Sequence, residues 1–129
     1  MEIKVSFPGG KRVDAQVGEH LIRTDQSRDE GGEGSAPEPF LYFLAALATC
    51  AGHYARSYLE ARGLATAGLE LVQEHRFDEK THRLTEVKLT VRLPAGVPEK
   101  HRPALARAVK LCAVKKVLDS PPDFLVEIS

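Results

Sequence analysis

The two cysteines, Cys50 and Cys112, are the residues best suited to chemistry in this sequence. They lie 62 positions apart, and no CxxC pair or third cysteine accompanies them, so a zinc tetrad of cysteines is excluded. Each falls within an apolar segment of helical spacing, where a cysteine also serves as a small buried hydrophobic residue. Two helical thiols that meet in the fold would instead form a redox pair, in which one becomes a sulfenic acid and the other condenses with it to a disulfide. The spacing leaves both interpretations open.

The neighbours of each cysteine differ in size and charge. Cys50 is surrounded in sequence by small residues, which leave room beside the sulfur for a substrate. Cys112 precedes Lys115 and Lys116, and cations near a thiol favour the nucleophilic thiolate, so the sequence predicts a reactive Cys112. His53 is interpreted as an exposed helix residue. The remaining histidines show no ligand spacing, and we therefore expect neither a metal nor a cofactor; they include His75, His82 and His101.

The hydrophobic pattern predicts the elements that must position the cysteines. Apolar and polar residues alternate in several segments, which predicts strands at 3–7, 13–17, 20–24, 69–77, 84–93 and 124–128. Helical spacing predicts helices over 40–62, which carries Cys50, and over 105–118, which carries Cys112. Residues 25–39 are rich in Gly, Pro, Ser and acidic residues, and this composition predicts a mobile surface loop.

Length, charge and hydropathy exclude several classes of protein. The 129 residues predict a single domain, 1–129. Eighteen basic residues balance eighteen acidic ones, so we expect no nucleic-acid partner. The start of the sequence lacks the apolar run of a signal peptide and the longest apolar run is too short to cross a bilayer, which together predict a cytoplasmic protein without a membrane role. Residues 40–47 offer no polar face, which favours a helix covered partly by a second subunit.

Two segments of the sequence resemble a known family, the OsmC and Ohr group of osmotically induced and organic hydroperoxide resistance proteins. The first is APEPFLYFLAALATC, residues 36–50, and the second is LCAVKKVL, residues 111–118, followed by FLVE at 124–127. The resemblance implies an α+β fold with antiparallel sheets around two long central helices. It also implies an intertwined homodimer.

The same resemblance implies roles for individual residues. Cys50 would be the peroxidatic cysteine and Cys112 the resolving one, with an organic hydroperoxide as substrate and a dithiol as reductant. The family glutamate, ten positions before the first cysteine, is replaced here by Phe40. Glu38 is then either its substitute or a solvated loop carboxylate. The family arginine follows a glycine pair, so Arg12 is the candidate and Arg23 the second, unless both are surface charges.

Three functions remain open on the sequence. The leading hypothesis is a thiol-dependent peroxidase that reduces organic hydroperoxides through Cys50 and Cys112. The alternative is a non-catalytic OsmC-like dimer that binds a small apolar ligand or acts as a redox sensor, and it is motivated by Phe40. A structural disulfide would add ~4 kcal/mol by closing a long loop. A reducing cytosol disfavours that third possibility.

Overall fold

The structure is a computed structural model that describes all of residues 1–129. It contains two antiparallel sheets and three α-helices, which confirms the α+β class. The strands are β1 (Ile3–Gly9), β2 (Arg12–Val17), β3 (His20–Thr24), β4 (Glu70–Phe77) and β5 (Leu84–Arg92). The helices are α1 (Pro39–Ala61), α2 (Arg102–Lys110) and α3 (Ala113–Asp119). Short 3-10 turns lie at Arg28–Glu30 and Glu99–His101.

The chain divides into two compact units, residues 1–45 and residues 46–129. The first unit contains a three-stranded antiparallel sheet in the order β1-β2-β3. Its register pairs Val5 with Ala15 and Ala15 with Ile22, so these residues share one face of the sheet. On that face Ile3, Val5 and Phe7 are 52%, 53% and 77% exposed, respectively.

A buried carboxylate organises the segment between β3 and α1. Asp25 is 1% exposed, and its oxygens accept hydrogen bonds from Gln26 N–H at 2.8 Å and from Ser35 N–H at 3.0 Å and Oγ at 2.6 Å. These bonds lower the pKa of Asp25 from 3.8 to about 2, and the Ser35 hydroxyl contributes most. A Cβ on Gly32 would lie 2.1 Å from the Gln26 carbonyl oxygen, so only glycine fits there. The predicted loop is therefore held by an internal network that composition did not reveal.

The Asp25 network predicts an acid-sensitive contribution to stability. Because the folded-state pKa lies below the unfolded one, the ionised carboxylate stabilises the fold above pH 3.8, and this contribution is lost as the pH falls towards 2. We expect Asp25→Asn to lower the melting temperature at neutral pH and the difference from wild type to shrink between pH 4 and pH 2. Thermal melts across this range measure it. Asp29→Asn, at an exposed position of the same loop, is the control; an equal loss there would contradict the prediction.

The second unit packs one end of a β-hairpin against helices. Its core consists of Ala51, Ala55, Tyr58 and Leu59 of α1 together with Leu105 and Val109 of α2. Alternate residues of the β4-β5 hairpin pack against this cluster, including the cross-strand pair Leu71 and Val91. The opposite face of the hairpin carries the ion pairs Glu70–Arg92, Glu74–Lys88 and Arg76–Glu86. The predicted hairpin with one apolar and one charged face is thus confirmed.

Helix α1 follows the sequence prediction closely. It begins at Pro39, whose fixed φ suits the first turn, and ends at Ala61. Gly63 follows with φ of +64°, and Leu64 N–H donates to the Leu59 carbonyl oxygen at 3.0 Å, which closes the helix end.

The prediction of a second long helix is wrong. The segment predicted as one helix over 105–118 is two short helices, α2 and α3, separated at Leu111 and Cys112. Cys112 is extended, with φ of −48° and ψ of 128°. Apolar residues recur at helical spacing in the sequence across these two non-helical residues, so the periodicity could not reveal the break.

The prediction of a closing strand at 124–128 is not met within this chain. The segment is irregular, and Phe124, Leu125 and Ile128 are 85%, 91% and 92% exposed. A strand requires a neighbour to satisfy its backbone groups, and no strand of the chain pairs with these residues.

Candidate functional site

The two cysteines, distant in sequence, meet in the second unit. Cys50 lies in the middle of α1, and Cys112 lies in the turn that precedes α3. Their side chains lie close enough for the ionisation of each to depend on the other, and both are free thiols. Cys112 is buried at 3% exposure, whereas Cys50 is partly exposed. The arrangement provides the juxtaposition that a redox pair requires.

Opposite pKa shifts distinguish the two thiols. The hydrogen bond from Cys112 lowers the pKa of Cys50, and the backbone N–H groups of Val114 and Ala113 lower it further, against a smaller opposing effect of burial. Burial raises the pKa of Cys112, and donation of its proton to Cys50 raises it further. Cys50 therefore ionises first, and Cys112 stays protonated beside it. Cys50 is the better nucleophile of the pair at a given pH.

The extended conformation of Cys112 creates this environment. Because the backbone breaks there, α3 starts immediately afterwards, and its first N–H groups have no partner within the helix. Two of these groups, from Ala113 and Val114, face Cys50 and lower the pKa of its thiol. The break that the helical pattern concealed is thus what supplies donors to the thiol.

The predicted influence of Lys115 and Lys116 on Cys112 is wrong. The Lys115 ammonium forms an ion pair with Asp119 at 2.9 Å, one turn further along α3. The pKa of Cys112 is raised by burial and by the neighbouring Cys50 rather than lowered by cations. Proximity in sequence placed the lysines near Cys112, but their side chains do not govern its ionisation.

The hydrogen bond between the thiols leads to a prediction for variants of Cys112. Cys112→Ala removes the main donor to Cys50, so we expect the pKa of Cys50 to rise and its alkylation by iodoacetamide at pH 7 to slow. Cys112→Ser retains a donor, so its pH profile is expected to stay closer to that of the wild type. Equal profiles for the two variants would contradict this account.

A cavity of about 460 Å³ adjoins the cysteine pair within the second unit. Most of its walls are apolar side chains, and they come from α1, both strands of the β4-β5 hairpin, α2 and α3. Cys112 is part of the lining, and Cys50 is not. The sequence analysis did not identify this cavity because its walls come from five separate elements.

Comparison of the sequence with known protein families identifies the family of this chain. The sequence matches the family model described as OsmC-like protein over residues 32–127, which includes both cysteines. The chain belongs to the OsmC-like protein family. No curated protein matches the sequence.

Solved structures resemble this OsmC-like protein in fold. An osmotic stress induced and detoxification response protein from Psychrobacter arcticus is 22% identical with a TM-score of 0.74, over 88% of this chain and 85% of the other. An OsmC-like protein from Mycoplasma pneumoniae is 15% identical with a TM-score of 0.73, over 93% and 87%. An organic hydroperoxide resistance protein OsmC from Legionella pneumophila is 21% identical with a TM-score of 0.60, over 92% and 88%. At these identities the likeness establishes the fold alone.

The other predicted site residues of this OsmC-like protein lie in the first unit. Arg12 and Arg23 line one polar cavity of about 310 Å³, together with Asp14 and Ser35. The two arginine candidates of the sequence are therefore neighbours. Glu38 accepts a hydrogen bond from Ser27 N–H at 3.1 Å, which gives this carboxylate a partner in the loop before α1.

Phe40, at the position of the family glutamate, stacks on Phe43. Their ring centroids are 5.5 Å apart with an interplanar angle of 28°, and Phe40 is 47% exposed. The first turn of α1 in this OsmC-like protein is therefore apolar at the position of the family glutamate.

The histidines of this OsmC-like protein have separate surroundings. His53 is exposed on α1, as predicted, and His101 shares a hydrogen bond of 2.9 Å with the Tyr58 hydroxyl. No group of three or more His, Cys, Asp or Glu side chains is arranged to hold a metal ion.

None of the helices combines the length and apolar character needed to span a membrane.

Proposed function

We propose that this OsmC-like protein is a thiol-dependent peroxidase that reduces organic hydroperoxides through Cys50 and Cys112. The observation that carries the proposal is that two free thiols distant in the sequence lie beside each other in the second unit, Cys50 partly exposed and Cys112 buried in the wall of a cavity. These surroundings lower the pKa of Cys50 and raise that of Cys112. Cys50 is thereby favoured as the nucleophile, and Cys112 lies beside it as the thiol that forms the disulfide.

In the first step the Cys50 thiolate attacks one oxygen of the hydroperoxide. An S–O bond forms, the O–O bond breaks, and the electron pair leaves with the alkoxide, which becomes an alcohol on protonation. Cys50 is left as a sulfenic acid. The N–H groups of Ala113 and Val114 favour the ionised thiol before attack, because a thiolate accepts their hydrogen bonds more strongly than a thiol does.

In the second step the Cys112 sulfur attacks the Cys50 sulfur. An S–S bond forms, and the hydroxyl group leaves as water with the proton that Cys112 gives up. Burial keeps the pKa of Cys112 high, so this thiol stays protonated until the sulfenic acid is formed beside it. A dithiol then reduces the disulfide and restores both cysteines.

Arg12 is our candidate for the group that stabilises the departing alkoxide, with Arg23 as the second. A guanidinium is always charged and offers several donors, which suits a developing oxyanion. Both arginines line the same polar cavity of the first unit, beside Asp14, which supports treating them as alternatives for one role. Glu38, two residues before Phe40, is proposed as the carboxylate that takes the place of the family glutamate.

The proposed assembly is an intertwined homodimer that works in the cytoplasm. Its support is the exposure of apolar side chains on several elements, notably Ile3, Val5 and Phe7 of β1 and Phe124 and Leu125 near the C-terminus. Exposed apolar side chains grouped on one element, as on β1, mark interaction sites in soluble proteins.

The experiment is a stoichiometric reaction with cumene hydroperoxide. The reduced protein is expected to lose both thiols on treatment with one equivalent, and peptide mapping after digestion is expected to find Cys50 linked to Cys112. Diamide, which oxidises thiols without a peroxide, is the positive control. If both thiols remain titratable after excess peroxide while diamide forms the disulfide, the peroxidase proposal fails.

Phe40 favours a second candidate function. Its ring, stacked on Phe43 at the start of α1, makes an apolar surface where the resemblance places a carboxylate. A non-catalytic dimer that binds a small apolar ligand or acts as a redox sensor would use such a surface. This alternative requires the absence of turnover with hydroperoxide and dithiol, so a single steady-state assay separates it from the peroxidase.

A further inference from the structure

We propose that Cys50 and Cys112 form a two-coordinate binding site for copper(I), in which the two sulfurs are the ligands of the ion. Soft thiolate ligands select ions of this kind. Binding is independent of the proposed peroxidase function, because it consumes no peroxide and changes no oxidation state. It revises the expectation of a chain without a metal, which came from the spacing of the histidines.

The fold brings the two sulfurs to one place from separate elements. Leu47 and Ala51, which lie on α1 before and after Cys50, line the same cavity as Cys112. The first backbone N–H groups of α3, which directly follow Cys112, face Cys50. Two thiols placed in this way can hold one ion between them, and rotation about χ1 adjusts the separation of the sulfurs while the backbone stays in place.

The lack of further ligands sets the coordination number. No group of three or more His, Cys, Asp or Glu side chains lies together in residues 1–129. His53, one turn after Cys50, is exposed, and its ring packs edge-on against Tyr54. Zinc takes four protein ligands in structural sites and three with a water in catalytic ones, so two sulfurs alone do not make a zinc site. Copper(I) has a filled d shell and accepts two thiolates in a linear arrangement.

The surroundings of the pair favour a soft ion over a hard one. Cys112 is only 3% exposed, and the cavity that it lines has mostly apolar walls, which include Leu47, Val109 and Leu118. Such walls offer few of the oxygen ligands that magnesium and calcium require. Cys50 is partly exposed and gives the ion a path to the site from solvent.

The charges around the site suit the complex that forms. Each protonated thiol loses its proton as a sulfur–copper bond forms, and the copper stays in the +1 state, so two thiolates and one ion carry one negative charge. The N–H groups of Ala113 and Val114 lower the pKa of Cys50 and favour negative charge at its sulfur. The cavity beside Cys112 adds one net positive charge, since its lining holds two lysines and one aspartate.

The experiment is a competition for copper(I) between the reduced protein and the chelator bicinchoninate, without oxygen and with ascorbate present. We expect the protein to withdraw one copper per chain, seen as loss of the colour of the chelator complex. In a parallel titration we expect zinc to stay with the indicator pyridylazoresorcinol. Copper left with bicinchoninate, or zinc withdrawn as readily as copper, would overturn the proposal.

Substitution of each ligand tests the two sulfurs separately. We expect Cys50→Ser and Cys112→Ser each to weaken copper binding more than about a hundredfold, since changing even an outer-shell partner costs about tenfold to a hundredfold. His53→Ala is the matched control on α1 and should bind as the wild type does. An equal loss in His53→Ala, or retained binding in either serine variant, would overturn the two-sulfur site. Circular dichroism establishes that the variants are folded.

Two further measurements use the unchanged protein. X-ray absorption of the copper-loaded chain is expected to show two sulfur neighbours and no third ligand. Oxidation of both thiols with diamide is expected to abolish copper binding. A third ligand around the copper, or binding that survives the loss of both thiols, would overturn the proposal.

Discussion

Replacing Cys50 with serine is expected to abolish turnover of organic hydroperoxides. The loss should reach on the order of a thousandfold or more, the scale on which removal of a catalytic nucleophile acts. Serine keeps the size and polarity of the side chain, but its hydroxyl is not ionised near neutral pH and attacks a peroxide bond poorly. The measurement is the steady-state consumption of cumene hydroperoxide with dithiothreitol as reductant.

Cys112→Ser is the matched comparison, and a different result is expected. Cys50 in this variant should still react once and then accumulate as a sulfenic acid, because no second thiol is present to form the disulfide. Trapping with dimedone and mass measurement detects the product. Multiple turnover by Cys50→Ser, or a sulfenic acid that forms on Cys112 first, would contradict the assignment of the two roles.

The second large effect is expected on assembly. Val5→Lys places a charge on the apolar face of the β1-β2-β3 sheet, where Val5 is 53% exposed in the single chain. In a two-fold dimer the substitution enters twice, so the loss of apolar burial alone should amount to about 3 kcal/mol, roughly a hundredfold in the dissociation constant. Sedimentation velocity over a range of concentrations measures the shift from dimer to monomer.

Ser6→Lys provides the control on the same strand. Alternation along β1 directs Ser6 to the opposite face of the sheet, so the added charge should leave the dimer intact. A monomeric wild-type protein, or equal dissociation by Val5→Lys and Ser6→Lys, would contradict the proposed interface. Circular dichroism of both variants establishes that the sheet is retained.

Local patterns in the sequence were sufficient to predict most of the secondary structure. The period of two in β1, β2 and β5 and the helical spacing of α1 each arise from one continuous apolar face. Proline at position 39 and glycine at position 63 then marked the ends of α1 to within about a residue. These features depend on neighbours within a few residues, which a sequence displays directly.

Features that depend on single residues or on distant partners were not predictable in the same way. The break between α2 and α3 involves only Leu111 and Cys112, and the helical pattern of the sequence continues across it. The burial of Asp25 depends on Ser35, ten positions later, in a segment whose composition indicates a loop. The segment at 124–128 carries a strand pattern without a strand beside it in this chain.

The candidate site was likewise predictable from the sequence only in part. Cys50 and Cys112 could be selected from the sequence because there are no other cysteines, but their contact depends on how α1 and α3 pack. The donors that act on Cys50 are backbone N–H groups, which every residue except proline carries, so residue types could not single out Ala113 and Val114. Lys115 and Lys116 follow Cys112 in the sequence and suggested that cations favour its thiolate. In the structure Lys115 pairs with Asp119 instead.

The two backbone donors beside Cys50 also bear on the reduction potential. They bind a negatively charged sulfur better than a neutral one, and the sulfur carries that charge only in the reduced protein. Stabilising the reduced form raises the potential of the couple, which makes its disulfide more oxidising. A bridge between these two sulfurs is therefore suited to repeated opening by cellular thiols and poorly suited to serve as a permanent crosslink.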